Sequence, residues 1–203
     1  MRKIIVLEFL SLDGVMQAPG GPQEDTSVGF DFGGWTVPYM DEFSNTVMTE
    51  QMAQPFDLLL GKKTYDIWAA YWPNQDNTNP IAALFNKVKK YVVTHNSFQP
   101  SWESTIVLTS SDVALQIKNL KNEDGPDLQV YGSGNLVQTL LKHDLVDELW
   151  LKIFPVTLGS GKRLFAEGTL PAAYQLIEAK ISPIGVIFAN YKRDGEVRTG
   201  SFV

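Results

Sequence analysis

The 203-residue sequence contains no cysteine. This absence excludes disulfide bonds, thiol nucleophiles and cysteine-ligated metals, and it is compatible with a reducing compartment. Of the two histidines, His95 has no second histidine or carboxylate at metal-ligand spacing, and His143 lies where a cation would complement the end of a helix. We therefore predict no metal site, and any catalysis must use other groups.

The chain also lacks an excess of positive charge and a long hydrophobic run. Its formal net charge of −6 argues against broad binding to nucleic acid or to an anionic membrane. No apolar run approaches the roughly 18 residues of a transmembrane span. Glu8 interrupts the apolar N-terminal stretch, and no cleavage pattern of a signal peptide follows it. We expect a cytoplasmic protein that binds neither nucleic acid nor membrane.

Length and composition predict one globular domain over residues 1–203, because 44% hydrophobic and 20% charged residues are ordinary for such a domain. Strand and helix patterns alternate through four or five units, including a helix over residues 35–54. An antiparallel hairpin, residues 174–181 and 186–193, comes last. This order is typical of a three-layer α/β fold whose mixed sheet is mostly parallel.

Two glycine turns follow predicted strands and begin predicted helices. One contains Gly132 and Gly134, and the other is Gly61-Lys-Lys-Thr64. Glycine lets a ligand approach the main chain, and the first amides of a helix can bind phosphate. Each turn could equally be a plain structural connection, with the lysines solvated. The residues of either turn alone leave both readings open.

Two carboxylates lie at the ends of predicted elements. Asp13 and Gly14 end the first strand, where open α/β sheets place ligand contacts, although Asp-Gly is also a common turn. Residues 17–34 form a long glycine-rich loop of the kind that often serves as a lid. Asp41 lies in the predicted first turn of a helix, where the helix dipole favours an acid in any case.

Taken in order, these motifs resemble the dihydrofolate reductase-like superfamily, in particular the reductase domain of the bifunctional deaminase-reductase of riboflavin synthesis and its stand-alone relatives. Residues 35–38 and Asp41 are similar to the family's Trp-x-x-Pro segment with its following acid, and residues 60–65 to its Gly-Arg-x-Thr-aromatic segment. Residues 130–134 resemble its pyrophosphate-binding glycine motif. Residues 11–14 and 155–165 are closer to the riboflavin branch than to true dihydrofolate reductases.

The resemblance implies a dihydrofolate reductase-like fold and hydride transfer from NADPH to a small heterocycle, such as a pterin or flavin precursor, or to a carbonyl compound. Lys62 would face the 2′-phosphate, although the family usually has arginine there, which leaves the preference for NADPH over NADH open. Thr94 would lie at the adenosine end of the cofactor. The full set of expected cofactor contacts is Gly61, Lys62, Thr64, Thr94, Gly132, Ser133, Gly134, Asn135 and Leu136.

On the substrate side the resemblance implies contacts from Gly14, Trp35 and Pro155, with Asp41 and Asp13 as the catalytic carboxylates. It also implies a homodimer. One alternative is a non-catalytic NADP(H)-binding sensor or interaction protein on the same fold. A phosphate-binding transferase is a further alternative, and it is disfavoured because neither turn is the longer Gly-x-x-x-x-Gly-Lys-Ser/Thr loop.

Overall fold

The computed structural model describes residues 1–76 and 78–202 and is organised around one eight-stranded sheet. Its strands are β1 (Ile4–Ser11), β2 (Phe56–Gly61), β3 (Lys90–Val93), β4 (Thr105–Leu108), β5 (Asp127–Val130), β6 (Glu148–Phe154), β7 (Tyr174–Ile181) and β8 (Ile187–Arg193). The order across the sheet is β4-β3-β2-β5-β1-β6-β8-β7. The six strands from β4 to β6 are parallel, whereas β8 is antiparallel to both β6 and β7. The predicted mixed sheet with a C-terminal hairpin is confirmed.

Within the described part of the chain, five α-helices cover the two faces of this sheet and give the three predicted layers. They are α1 (Glu42–Gln51), α2 (Lys62–Tyr71), α3 (Pro80–Lys87), α4 (Val113–Asn122) and α5 (Gly134–Lys142). Apolar residues of α4 and α5 pack with β1 and β5 on one face. Residues of α1, α2 and α3 form two clusters on the other. None of the described helices is long and apolar enough to cross a membrane.

Strand β1 pairs with β5 on one side and β6 on the other, so it lies inside the sheet. Successive side chains of a strand point to opposite faces, and here both faces are covered by helices. The apolar run of β1 is therefore buried on both sides, as its composition predicts. Glu8 is the exception, because it is the one acidic residue in the strand and only 5% of its surface is exposed.

The predicted helix over residues 35–54 is wrong at its start. Helix α1 begins at Glu42, and residues Val37–Tyr39 form a separate 3₁₀ turn. Asp41 adopts an extended backbone, and its Oδ1 accepts a bond of 2.7 Å from the Ser44 amide. This side chain caps the helix, so the helical conformation does not continue back to Trp35.

The predicted loop over residues 17–34 is irregular apart from a 3₁₀ turn at Ser27–Gly29. Gln17 holds it in place, since its side-chain amide donates to the carbonyls of Asp25 and Ser27 at 3.0 Å and its Oε1 accepts from the Lys162 amide. The buried indole of Trp35 donates to the Gln17 carbonyl at 2.8 Å. The surface loop predicted at residues 74–80 includes Asn77, which lies outside the described residues.

Candidate functional site

A cavity of about 440 Å³ lies between the middle of β1 and the ends of β2 and β5. Leu7, Glu8 and Phe9 of β1 form its floor. Its walls come from the first residues of α2 and α5, and residues of the 17–34 loop cover it. Ends of parallel strands beside helix N-termini are where open α/β sheets bind ligands.

The fold brings the two glycine turns into contact. The amide of Gly61 lies 3.4 Å from the Gly132 carbonyl, and a side chain added at Gly61 would collide with the Ser133 hydroxyl. Gly132 has a φ of +87°, and a Cβ placed there would lie 3.1 Å from Oγ1 of Thr64. Backbone and hydroxyl groups of both turns therefore border one opening. This contact between the turns could not be predicted from either sequence segment alone.

Of the predicted cofactor contacts, Thr64, Gly132, Ser133, Gly134 and Asn135 line the cavity. The others lie around it in other settings. Gly61 packs directly against Ser133, where a side chain would not fit. The side chain of Leu136 is buried in the core below α5. Thr94 follows β3, and its hydroxyl donates to the Asn96 carbonyl at 3.2 Å.

Lys62 and Lys63, at the start of α2, have different ion-pair partners. Lys62 pairs with Asp66 one turn later at 2.6 Å, and its ammonium lies 4.4 Å from the centre of the Phe98 ring. Lys63 lines the cavity and pairs with Asp25 of the covering loop, also at 2.6 Å.

Asp25 connects three separate segments above the cavity. Besides Lys63, its carboxylate binds Lys162 at 2.7 Å. Burial acts to raise the pKa of Asp25, but bonds from Lys162, Lys63 and Ser27 outweigh it and hold the pKa well below its usual range. The carboxylate is therefore ionised and fastens the loop over the cavity with two cations.

The predicted catalytic carboxylates both have structural partners outside the cavity lining. Asp41 caps α1. Asp13 accepts bonds from the amides of Leu158 at 3.1 Å and Gly159 at 2.8 Å, and the bond from the Ser11 hydroxyl is the main cause that lowers its pKa to about 2. Their catalytic role stays a prediction, and the cavity lining identified in the described chain does not include them.

The three predicted substrate contacts are not among the residues that line the cavity. Gly14 makes the turn after β1 with a φ of +80°. Trp35 is buried, with its ring edge-on to Phe154 at 5.4 Å, and it anchors the loop through Gln17. Pro155 follows β6 at the surface. Thr36 and Val37, the two residues that follow Trp35, line the cavity.

Glu8 is a cavity residue that the sequence analysis missed. Its Oε1 is buried and has no hydrogen-bond partner among the described residues. Burial raises its pKa to about 8, which Lys152 opposes and Glu24 reinforces. The sequence did carry one indication of its role, since Glu8 is a lone carboxylate in a strand that is otherwise apolar. An unpaired charge buried in such a strand costs free energy unless it is neutralised.

Two further charged groups adjoin Glu8. Glu24 of the covering loop lines the cavity and has a pKa raised by burial, although its Oε2 accepts a bond of 2.6 Å from the Gly20 amide. Lys152 on β6 is buried beside the Phe9 ring, and burial lowers its pKa to about 7 against the influence of Glu8. Within residues 1–76 and 78–202, no cluster of three or more histidine or acidic side chains could hold a metal ion.

Comparison with known proteins gives one family and one fold. Residues 2–188 match the family model described as the RibD C-terminal domain. The chain is 26% identical over 201 residues to the uncharacterized protein YyaP of Bacillus subtilis (strain 168), with 96% of each chain covered.

Solved structures show the same architecture at low identity. Dihydrofolate reductase from Enterococcus faecalis, in a complex with NADP(H), has a TM-score of 0.59 at 13% identity, with 95% of this chain and 96% of that one covered. A pyrimidine reductase-like protein from Corynebacterium diphtheriae has a TM-score of 0.58 at 13% identity, with 96% and 93% covered. The predicted dihydrofolate reductase-like fold is confirmed.

Proposed function

Because the chain belongs to the RibD C-terminal domain family, we propose that it is an NADPH-dependent reductase that transfers hydride to a small heterocycle, such as a pterin or flavin precursor, or to a carbonyl compound. The family and its dihydrofolate reductase-like fold support an oxidoreductase. The cofactor and the substrate class are the proposed part. The proposal includes a cytoplasmic setting, which the absence of cysteine suits.

The observation that carries the proposal is the contact between the two glycine turns at one mouth of the cavity. Gly61 leaves room for Ser133 where any side chain would collide, and Gly132 leaves the space in front of Thr64 open. Helices α2 and α5 both begin at this mouth, so the first turns of two helices lie at the same opening. A dinucleotide pyrophosphate fits such an arrangement, because amides and helix dipoles favour an anion.

The predicted cofactor contacts divide between the pyrophosphate and the adenosine end of NADPH. Ser133, Gly134, Asn135 and the Leu136 amide would bind the pyrophosphate together with Thr64. Lys62 would face the 2′-phosphate with Thr94 close to the adenosine. When bound, NADPH would supply the hydride, while the apolar side chains of Met16, Ile67 and Trp68 in the cavity would exclude water from the reacting atoms.

A two-stage assay tests this function. NADPH and NADH are titrated into the protein by calorimetry, and NADPH oxidation is then followed at its absorbance band with pterins, flavin precursors and small carbonyl compounds. We expect micromolar NADPH binding and oxidation with a member of one of these classes. Binding without oxidation would favour the non-catalytic NADP(H)-binding protein, and absence of binding would refute the proposal.

Lys62→Ala is expected to weaken binding of NADPH more than that of NADH, by roughly 1.5–3 kcal/mol, because only NADPH carries the 2′-phosphate that a charge-assisted bond would hold. Calorimetric titration of both cofactors measures the difference. Lys118→Ala removes an exposed lysine from α4 on the other face of the sheet, and it controls for the loss of one positive charge. Equal loss of affinity for both cofactors would remove Lys62 from this role.

A homodimer through β7 is also proposed. This strand forms one edge of the sheet, and Leu176, Ile177 and Ile181 are at least half exposed along it. Unprotected apolar edges tend to pair with another chain. We expect a dimer in sedimentation at micromolar concentration and a monomer for Ile177→Lys. Leu115→Lys, at an exposed leucine of α4, is the matched control and should stay dimeric.

A further inference from the structure

A second cavity, of about 230 Å³, lies between α1 and the side chains of β6, β8 and β7. Among the described residues, none lines both this cavity and the larger one beneath the covering loop. Sites for drug-sized molecules measure about 300–1,000 Å³. The second cavity is therefore a separate place on the molecule, and its volume suits a smaller ligand.

The strand register places a polar row beside an apolar base in this second cavity. Trp150 of β6 pairs with Asn190 of β8, and Asn190 pairs with Glu178 of β7. Paired residues of neighbouring strands point to the same face of a sheet. Phe188 of β8 and Val47 of α1 belong to one buried apolar cluster and line the same cavity. The cavity therefore offers a ligand both apolar contact and hydrogen-bonding groups.

Gln51, the last residue of α1, has an unpaired acceptor at this cavity. Only 8% of its surface is exposed, and no group in the described part of the chain bonds its Oε1. The nitrogen of the same carboxamide donates to Oδ1 of Asn190 at 3.2 Å, and both residues line the cavity. The side chain of Gln129 also donates to the Gln51 carbonyl at 3.0 Å, which fixes the backbone there. A buried acceptor held in this way is available to a donor on a ligand.

Glu178 determines which atom of Gln51 is left without a partner. A carboxylate paired with a lysine only accepts hydrogen bonds, so Asn190 presents its Nδ2 to Oε2 of Glu178, at 3.3 Å. Its Oδ1 then faces Gln51, which must donate through its nitrogen. The unpaired atom is therefore the oxygen, and a ligand that satisfies it has to supply an N–H or O–H group.

The charged residues of the second cavity favour a cation. Lys180 bridges Glu50 at 2.7 Å and Glu178 at 3.3 Å, so one ammonium group faces two carboxylates. All three side chains line the cavity and are at least one third exposed, which leaves them accessible to a competing ion. The indole of Trp150 is held by a bond of 2.9 Å from its Nε1 to Glu148, and aromatic rings attract cations.

We propose that the second cavity binds a small organic cation that carries N–H donors on a flat apolar body, such as an aromatic amidine, guanidine or amine. One N–H bonds to Oε1 of Gln51, and the positive charge is attracted to the carboxylates of Glu50 and Glu178. The apolar body packs against Trp150. Lys180 is the intramolecular cation with which the ligand competes. This site does not depend on the proposed reductase function, because it shares no described lining residue with the larger cavity.

The test compares benzamidine with benzoate. The two ions have the same flat shape and opposite charges, and only benzamidine carries N–H donors. Each is titrated into isotope-labelled protein while the indole N–H signals are followed by NMR, with the Trp150 signal assigned from Trp150→Phe. We expect benzamidine to shift this signal along a saturable curve with a Kd on the order of 1 mM, which is ordinary for so small a ligand. Benzoate should give no saturable shift over the same concentrations.

Two substitutions should change benzamidine binding in opposite directions. Gln51→Met removes the acceptor at similar length, and it should weaken binding by roughly 10- to 100-fold, the usual loss of a hydrogen bond to a charged group. Lys180→Met removes the competing cation and should strengthen binding by about 2- to 5-fold, the range of an exposed ion pair. Gln116→Met is the matched control, because Gln116 also has a buried Oε1 without a described partner but lies on α4, on the other face of the sheet.

Several results would overturn the proposal. One is the absence of a saturable shift of the Trp150 signal, and another is an equal response to benzoate. A shift confined to the indole of Trp68 would place benzamidine in the larger cavity, which Trp68 lines. If circular dichroism shows that Gln51→Met does not fold, Lys180→Met decides, because its side chain lies at the rim. Unchanged or weaker binding in Lys180→Met would then contradict the site, whatever the outcome of the NADPH titration.

Discussion

Gly132→Val is expected to reduce NADPH affinity by at least about 100-fold, which corresponds to ~2.7 kcal/mol, while the protein still folds. The first atom of the new side chain would lie 3.1 Å from Oγ1 of Thr64 and 3.9 Å from Oε1 of Glu8. The two methyl groups beyond it would occupy the space between the glycine turn and α2, where the pyrophosphate is proposed to bind. The affected volume belongs to the cavity and not to the core, so the core packing is retained.

The backbone cost of this substitution needs its own control. Gly132 has a φ of +87°, and a β-branched residue in that region costs roughly 1–3 kcal/mol of stability. Gly168→Val places the same side chain at a φ of +84° where no atom lies within 4 Å. Both variants should lose similar stability in urea unfolding, and only Gly132→Val should lose NADPH in calorimetric titration. Unchanged affinity in Gly132→Val would remove the turn from the cofactor site.

The strands, the closing hairpin and the glycine turns were predictable because their information is local. Hydrophobic period, glycine positions and strand-helix alternation predicted the mixed sheet and the hairpin, and Asp41 was correctly assigned to the beginning of a helix. The exact start of α1 was missed because Asp41 could be either a first-turn residue or a cap, and only the bond to the Ser44 amide decides between them.

The composition of the cavity was less predictable because it depends on contacts distant in sequence. Asp25 and Lys162 are 137 positions apart, and no pattern in either segment indicates their pairing. The rotation of α2 about its axis decides which of the two adjacent lysines lines the cavity. The sequence analysis predicted Lys62 as a cofactor contact, whereas Lys63 lines the cavity in the structure. Glu8 carried an indication in its apolar strand, but its free oxygen follows only from the packing around it.

Glu8→Gln should also make the protein more stable at pH 7, because it replaces a carboxyl that folding prevents from ionising. The pKa of Glu8 is raised from 4.5 to about 8 in the folded protein. Between these values the unfolded chain releases the proton and the folded chain keeps it, so the free energy of unfolding falls as pH rises, by at most about 1.4 kcal/mol per pH unit. At pH 7 the accumulated loss reaches at most about 3 kcal/mol, which glutamine avoids.

Between pH 5 and 7 the neighbouring cation does not oppose this growing gain in stability, because loss of Glu8 removes an influence that raises the pKa of Lys152. Burial lowers the pKa of Lys152 from 10.5 to about 7, so its contribution to stability rises with pH only above about 7. Urea unfolding at pH 5, 6 and 7 should therefore give a growing difference in stability between Glu8→Gln and the unsubstituted protein. Glu123→Gln, at an exposed carboxyl after α4, should show no such growing difference. If Glu8→Gln gives the same difference at every pH, the pKa of Glu8 is not raised by folding.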